Sequence, residues 1–197
     1  MPRAWYSEID TYLSMYKFKR STSEATLYTR SNREENLIIV SIYVDDIVYT
    51  SSSERMFNEF KREMIQRYEM SDLGLLHHFL GMRILQTDQG VFINQSKYAK
   101  ALLRKFMLEG CKPISILLSI GEKLKKVDES ELADKGLYRK IVGSLLYLTT
   151  TRPDLMYVAS LLSQFMNSPT KMHMGAIKRV LGYVQGTLSY GIEYVRD

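Results

Sequence analysis

The chain has 197 residues, 45% of them apolar and 25% charged, and 27 basic against 22 acidic side chains give a formal charge of +5 and a pI near 9.1. That composition suits one large or two small globular domains, and its basic balance suits a polyanionic partner without requiring one. One cysteine, Cys111, excludes an internal disulfide framework, no apolar run reaches transmembrane length, and the first residues lack a signal-peptide core, so a soluble intracellular domain, cytoplasmic or nuclear, is expected.

The opening stretch "MPRAWYSEIDTYLSMYKFKR" predicts an amphipathic helix starting near Pro2, with Trp5, Ile9, Tyr12, Leu13 and Tyr16 on one face. An indole this early suits the middle of a fold, so truncation is expected. Residues 25–30 and 37–44 are strand-like and separated by the polar "SNREEN". The second run and residues 47–50 flank Val44-Asp45-Asp46, which predicts a tight hairpin with the carboxylates at its tip. Ser51-Ser52-Ser53-Glu54 reads as a capping box opening a helix with Phe57, Phe60, Met64 and Tyr68 on its inner face. A second hairpin turns at Asp88-Gln89-Gly90, and a helix over residues 96–107 is stopped by Gly110. Residues 110–135 read as an irregular, charged connector. Helices follow over 138–150, 153–166 and 170–185, with Pro153 and Pro169 marking two of their starts. The expected fold class is α+β: residues 1–95 hold the two hairpins, and residues 96–197 are mainly helical.

Burying one ionised carboxylate without a partner is unfavourable, and two neighbours also repel. Asp45 and Asp46, inside the apolar run "LIIVSIYVDDIVYT", therefore need an exposed turn or a cation. As turn formers they require no function. As metal ligands they would offer hard oxygen donors from rigid strands, the arrangement by which two divalent ions stabilise the attacking and leaving oxygens of nucleotidyl transfer. Residue pattern alone leaves both readings open. Other candidates are weaker. His77 and His78 would face opposite sides of a strand, His173 stands alone between two methionines, and a helix cap ahead of Pro153 accounts for Arg152.

Tyr43-Val44-Asp45-Asp46 resembles the active-site motif of reverse transcriptases. Further blocks, "PRAWY", "FKRSTSEATLY", "YEMSDLGLLHHFLGM", "GVFINQSKYAKALLRKFML", "CKPIS" and "AIKRVLGYVQGTLSYGI", resemble in order the polyproteins of copia-type LTR retrotransposons. The resemblance implies part of a polymerase palm over residues 1–95, followed by a thumb and connection over residues 96–197. It implies that Asp45 and Asp46 are catalytic ligands of a two-ion Mg2+ site and that Tyr43 and Val44 lie near the primer terminus. Phe79-Leu80-Gly81 resembles the primer grip, although by pattern alone the stretch reads as an ordinary packed hairpin. The helix after Ser96 would open the thumb. Its Lys97, Lys100 and Arg104 share a face opposite Ala99, Leu102, Leu103 and Phe106, and they suit either phosphate contacts on an RNA–DNA template-primer or a solvated surface.

In the family a further catalytic aspartate and the fingers precede "PRAWY", and an RNase H domain follows the connection. Expected consequences are a chain inactive by itself and self-association through an exposed palm surface. The alternative is a non-catalytic relic with weak, sequence-independent nucleic-acid binding. Three departures look like drift: Ser51 in place of a usual glycine, Ile116-Leu117 in place of Thr-Pro, and Gly182 where a basic residue is common.

Overall fold

The computed structural model describes residues 2–118, 124–126 and 129–196. The chain divides into two compact units, Met1–Leu76 and His77–Asp197, and each carries a four-stranded antiparallel sheet with helices, an α+β fold.

In the first unit, α1 (Pro2–Met15) buries Ile9, Tyr12 and Leu13, the spacing of one helix face; Trp5 is half-buried and Tyr16 is exposed. The sheet runs in chain order through β1 (Lys19–Arg20), β2 (Leu27–Ser31), β3 (Leu37–Tyr43) and β4 (Asp46–Ser51). β3 alternates cleanly, burying Ile38, Val40 and Ile42. The next helix, α2 (Glu54–Arg67), has Ser53 as its N-cap and buries Met56, Phe60 and Met64. Met56 replaces the expected Phe57, which is half-buried against Tyr49. The phenols of Tyr12 and Tyr28 donate to Glu63 and Asp10, each at 2.5 Å, tying α1 to α2 and β2. Burial, reinforced by these carboxylates, pushes both phenols above their ordinary range.

In the second unit, β5 (His78–Phe79), β6 (Met82–Thr87) and β7 (Gly90–Asn94) lead into α3 (Ser96–Lys105). Then come α4 (Lys135–Leu148), a 3-10 turn (Pro153–Leu155), α5 (Met156–Ser163), α6 (Lys171–Gly186) and β8 (Gly191–Val195). The division at Leu76 differs from the expected one at residue 95. The reason is β8, which the sequence reading missed: it returns from the C-terminal stretch to pair with all of β7, so the second hairpin belongs with the helices. Those helices share one core, with Tyr138, Leu145, Leu155, Leu162, Ile177 and Leu181 fully or almost fully buried. Gly110 sits at φ 73°, five residues beyond the last residue of α3.

Several side chains set aside by sequence turn out to be structural. Arg152 is buried, with Nε and Nη2 on Asp154 and with Nη1 and Nη2 on the carbonyl and hydroxyl of Thr187. His173 is fully buried at N3 of a capping box with Thr170; its Nδ1 accepts the Thr170 N–H at 3.0 Å and its ring stacks on Phe165.

Burial pushes the Asp154 carboxyl up, but the Arg152 guanidinium and the Tyr183 hydroxyl outweigh it and hold Asp154 below the usual carboxylate range. A depressed folded-state value means that the pair's stabilisation is present above the unfolded value near pH 4 and is lost as the pH falls through the lower folded value. Asp154→Asn is therefore expected to lower the melting midpoint at pH 7, with the gap to wild type closing below about pH 4 in circular-dichroism melts. A second outcome tests β8. A Cβ at Gly191 would lie 2.3 Å from the Ile93 carbonyl oxygen, so Gly191→Ala should strip hydrogen-exchange protection from the β7–β8 amides while the helical core keeps its own.

Candidate active site and nucleic-acid interface

Ile42 pairs with Ile47 and Tyr43 with Asp46, which leaves Val44 and Asp45 as a two-residue loop. The structure thus places Asp45 in the turn and Asp46 as the first residue of β4; both are exposed, as are Tyr43 and Val44. Val44 takes φ 53°, a left-handed conformation that costs a side chain of this kind about 1–2 kcal/mol. Its carbonyl accepts the indole N–H of Trp5 at 2.9 Å, a contact spanning 39 residues of sequence. The indole stands edge-on to Tyr68, with ring centroids 5.3 Å apart. Trp5, Asp45, Arg67, Tyr68, Glu69 and Met70 line an open depression of about 430 Å³ beside the turn. Among the described residues, no group of three or more histidines, cysteines or acidic residues could hold a metal ion. Sequence reasoning found the aspartates but not the Trp5 contact, because nothing in local spacing links a helix face to a turn so far along the chain.

In the second unit, Phe79, Leu80 and Gly81 form the tip of the β5–β6 hairpin. Leu80 and Gly81 are its two loop residues, at φ 48° and 76°, and Phe79 pairs with Met82. The Leu80 carbonyl accepts the hydroxyl of Tyr147 on α4 at 2.5 Å, and Tyr147 stands edge-on to Tyr98 of α3. The turn, whose Leu80 and Gly81 are exposed, is thus pinned to α4 by a contact that the sequence did not announce. On α3, Lys97, Lys100 and Arg104 are all exposed, opposite the buried Ala99, Leu102 and Leu103. They are not equivalent. Arg104 makes two bonds of 2.9 Å to Glu109, an exposed pair whose charges neutralise one another locally.

Residues 1–119 match the reverse transcriptase (RNA-dependent DNA polymerase) family. The chain belongs to that family. It is similar to the retrovirus-related Pol polyproteins of the Arabidopsis thaliana transposons RE1, at 36% identity, and RE2, at 38%, each over 97% of this chain. It is also 31% identical to that of transposon TNT 1-94 of Nicotiana tabacum over 94% of this chain. These are copia-type elements, and the chain spans only 13–15% of the length of their polyproteins. No solved structure matches it. Reverse transcriptases as a family use divalent metal ions and a nucleic-acid template.

The Leu80–Gly81 turn yields a coupled outcome. Gly81→Ala imposes φ 76° on a side chain and puts its Cβ 2.7 Å from the Tyr147 hydroxyl. A loss of about 1–3 kcal/mol is expected in urea denaturation. In a Tyr147→Phe background the same substitution should lose less, because the colliding oxygen is gone.

Proposed function

We propose that this stretch carries the metal-binding turn of a reverse transcriptase palm, followed by elements that hold template-primer. The observation carrying this reading is the pair Asp45 and Asp46, exposed at a short turn between paired strands in a chain of this family. The donor set fits a hard divalent cation such as Mg2+, which takes carboxylate oxygens and keeps several waters. Asp45 and Asp46 would hold it. When bound, such ions stabilise the attacking and leaving oxygens as a primer 3′ hydroxyl displaces pyrophosphate at the α-phosphate of a deoxynucleotide. Tyr43 and Val44 would then border the primer terminus, and the Phe79-Leu80-Gly81 turn would steady the primer strand as a grip. Among the described residues the turn offers two carboxylates and belongs to no group of three, so a two-ion site built on it calls for a further ligand beyond Asp45 and Asp46.

A second reading, sequence-independent nucleic-acid binding without catalysis, is favoured by how charge is divided. Met1–Leu76 holds ten basic and twelve acidic residues, a net of −2, whereas His77–Asp197 holds seventeen and ten, a net of +7. The basic excess thus resides entirely in the second unit, as phosphate binding by α3 and its neighbours requires.

Primer extension on an RNA template with Mg2+ or Mn2+ separates the readings. Extension that Asp46→Asn abolishes supports the polymerase reading; folded protein without extension leaves binding alone. In filter binding across a salt series, Lys97→Ala with Lys100→Ala should reduce the slope of log affinity against log salt by about two. Arg104→Ala should change it less, since Glu109 already engages that guanidinium.

A further inference from the structure

We propose that Trp5 is a positioning residue for the aspartate turn: its indole N–H holds the Val44 carbonyl and so keeps residue 44 in the left-handed conformation that sets the direction of Asp45 and Asp46. The contact stands on the geometry of the first unit. Its consequence for metal binding rests on the reading of the two aspartates as ligands.

Valine is β-branched and among the residues least suited to φ 53°, so the conformation persists only where the surroundings over-determine it. The adjoining strands fix the ends of the loop through the Ile42–Ile47 and Tyr43–Asp46 pairs. The indole supplies a constraint within the loop, at 2.9 Å. Its own position is fixed. α1 is anchored by the fully buried Ile9 and Leu13, and Tyr68 stands against the ring edge-on. Trp5 and Asp45 also line the same open depression, so the clamp and the carboxylate are neighbours. A ring needed only for packing requires no N–H. The donor distinguishes a positioning role from a filling one.

Trp5 is the chain's one tryptophan, so a single indole N–H resonance reports on it. In the wild-type 197-residue chain that proton is expected to be protected from solvent exchange; fast exchange would overturn the proposal whether or not any variant folds. Trp5→Phe keeps a ring against Tyr68 and removes the donor. The expected result is shifted and broadened amides confined to residues 43–46, with Val44→Gly in the same background, which relieves the strain, restoring narrow lines at Asp45 and Asp46. Unchanged amides at 43–46 alongside a lower melting point would reduce Trp5 to a packing role and sink the idea.

Mn2+ binding, read by water-proton relaxation, tests the consequence. Trp5→Phe should weaken it on the order of tenfold, as loss of a residue that orients metal ligands does. Weakening by Asp46→Asn but not by Trp5→Phe overturns the positioning role. Absence of Asp46-dependent Mn2+ binding instead overturns the metal reading, and the amide spectra still decide the clamp.

Discussion

The register of β3 against β4 is the constraint on which the site depends. Ile38, Val40 and Ile42 must face the core together, because slipping the strand by one residue would turn all three to the opposite face. With Ile42 held opposite Ile47 and Tyr43 opposite Asp46, just two residues remain to reverse the chain, and the aspartates fall at the solvent end of an apolar ladder. Their exposure is thus a by-product of burying their neighbours. The same constraint puts a β-branched residue into a left-handed turn, where a compensating contact is needed; the indole of Trp5 supplies one.

The two units solve different electrostatic problems. The first gathers carboxylates and is net acidic, and its buried phenols, Tyr12 and Tyr28, are satisfied by Glu63 and Asp10. The second is strongly basic, yet several of its cations are engaged internally: Arg152 with Asp154 and Thr187, Arg104 with Glu109, Lys171 with Glu131. A count of basic residues therefore overstates the charge available to a phosphate backbone. Lys97 and Lys100 remain exposed on the face opposite the core of α3, which makes them better probes of binding than the arginine beside them.

Elements with a strong local period were legible in the sequence. The apolar run of β3, the one-sided face of α1 and the apolar stripe of α3 all announced themselves, and the aspartates stood out because they interrupt such a run. What escaped was non-local. β8 is five residues long and partly exposed, and it has meaning only beside β7, about a hundred residues earlier. The Trp5–Val44 and Tyr147–Leu80 bonds join a helix to a turn across 39 and 67 residues. The division at Leu76 has the same origin, since a hairpin is assigned by its neighbours and not by its own composition.

Two of the positions noted in the sequence, Gly182 and Leu117, are packed in the second unit. Gly182 is buried, and a Cβ there would lie 2.8 Å from Ile114, whose backbone N–H bonds the Gly182 carbonyl at 3.2 Å. One turn on, a Cβ at Gly186 would come within 3.1 Å of Pro113. Two glycines four residues apart thus make a shallow track on α6 along which residues 113 and 114 run close to the helix. Leu117 packs against the same helical core. A lysine at 182 would have to displace Ile114 and leave its ammonium beside that core, so the glycine and the apolar residues opposite it make one consistent surface. Gly182 and Leu117 thus each fit their surroundings, whereas Ile116 is exposed.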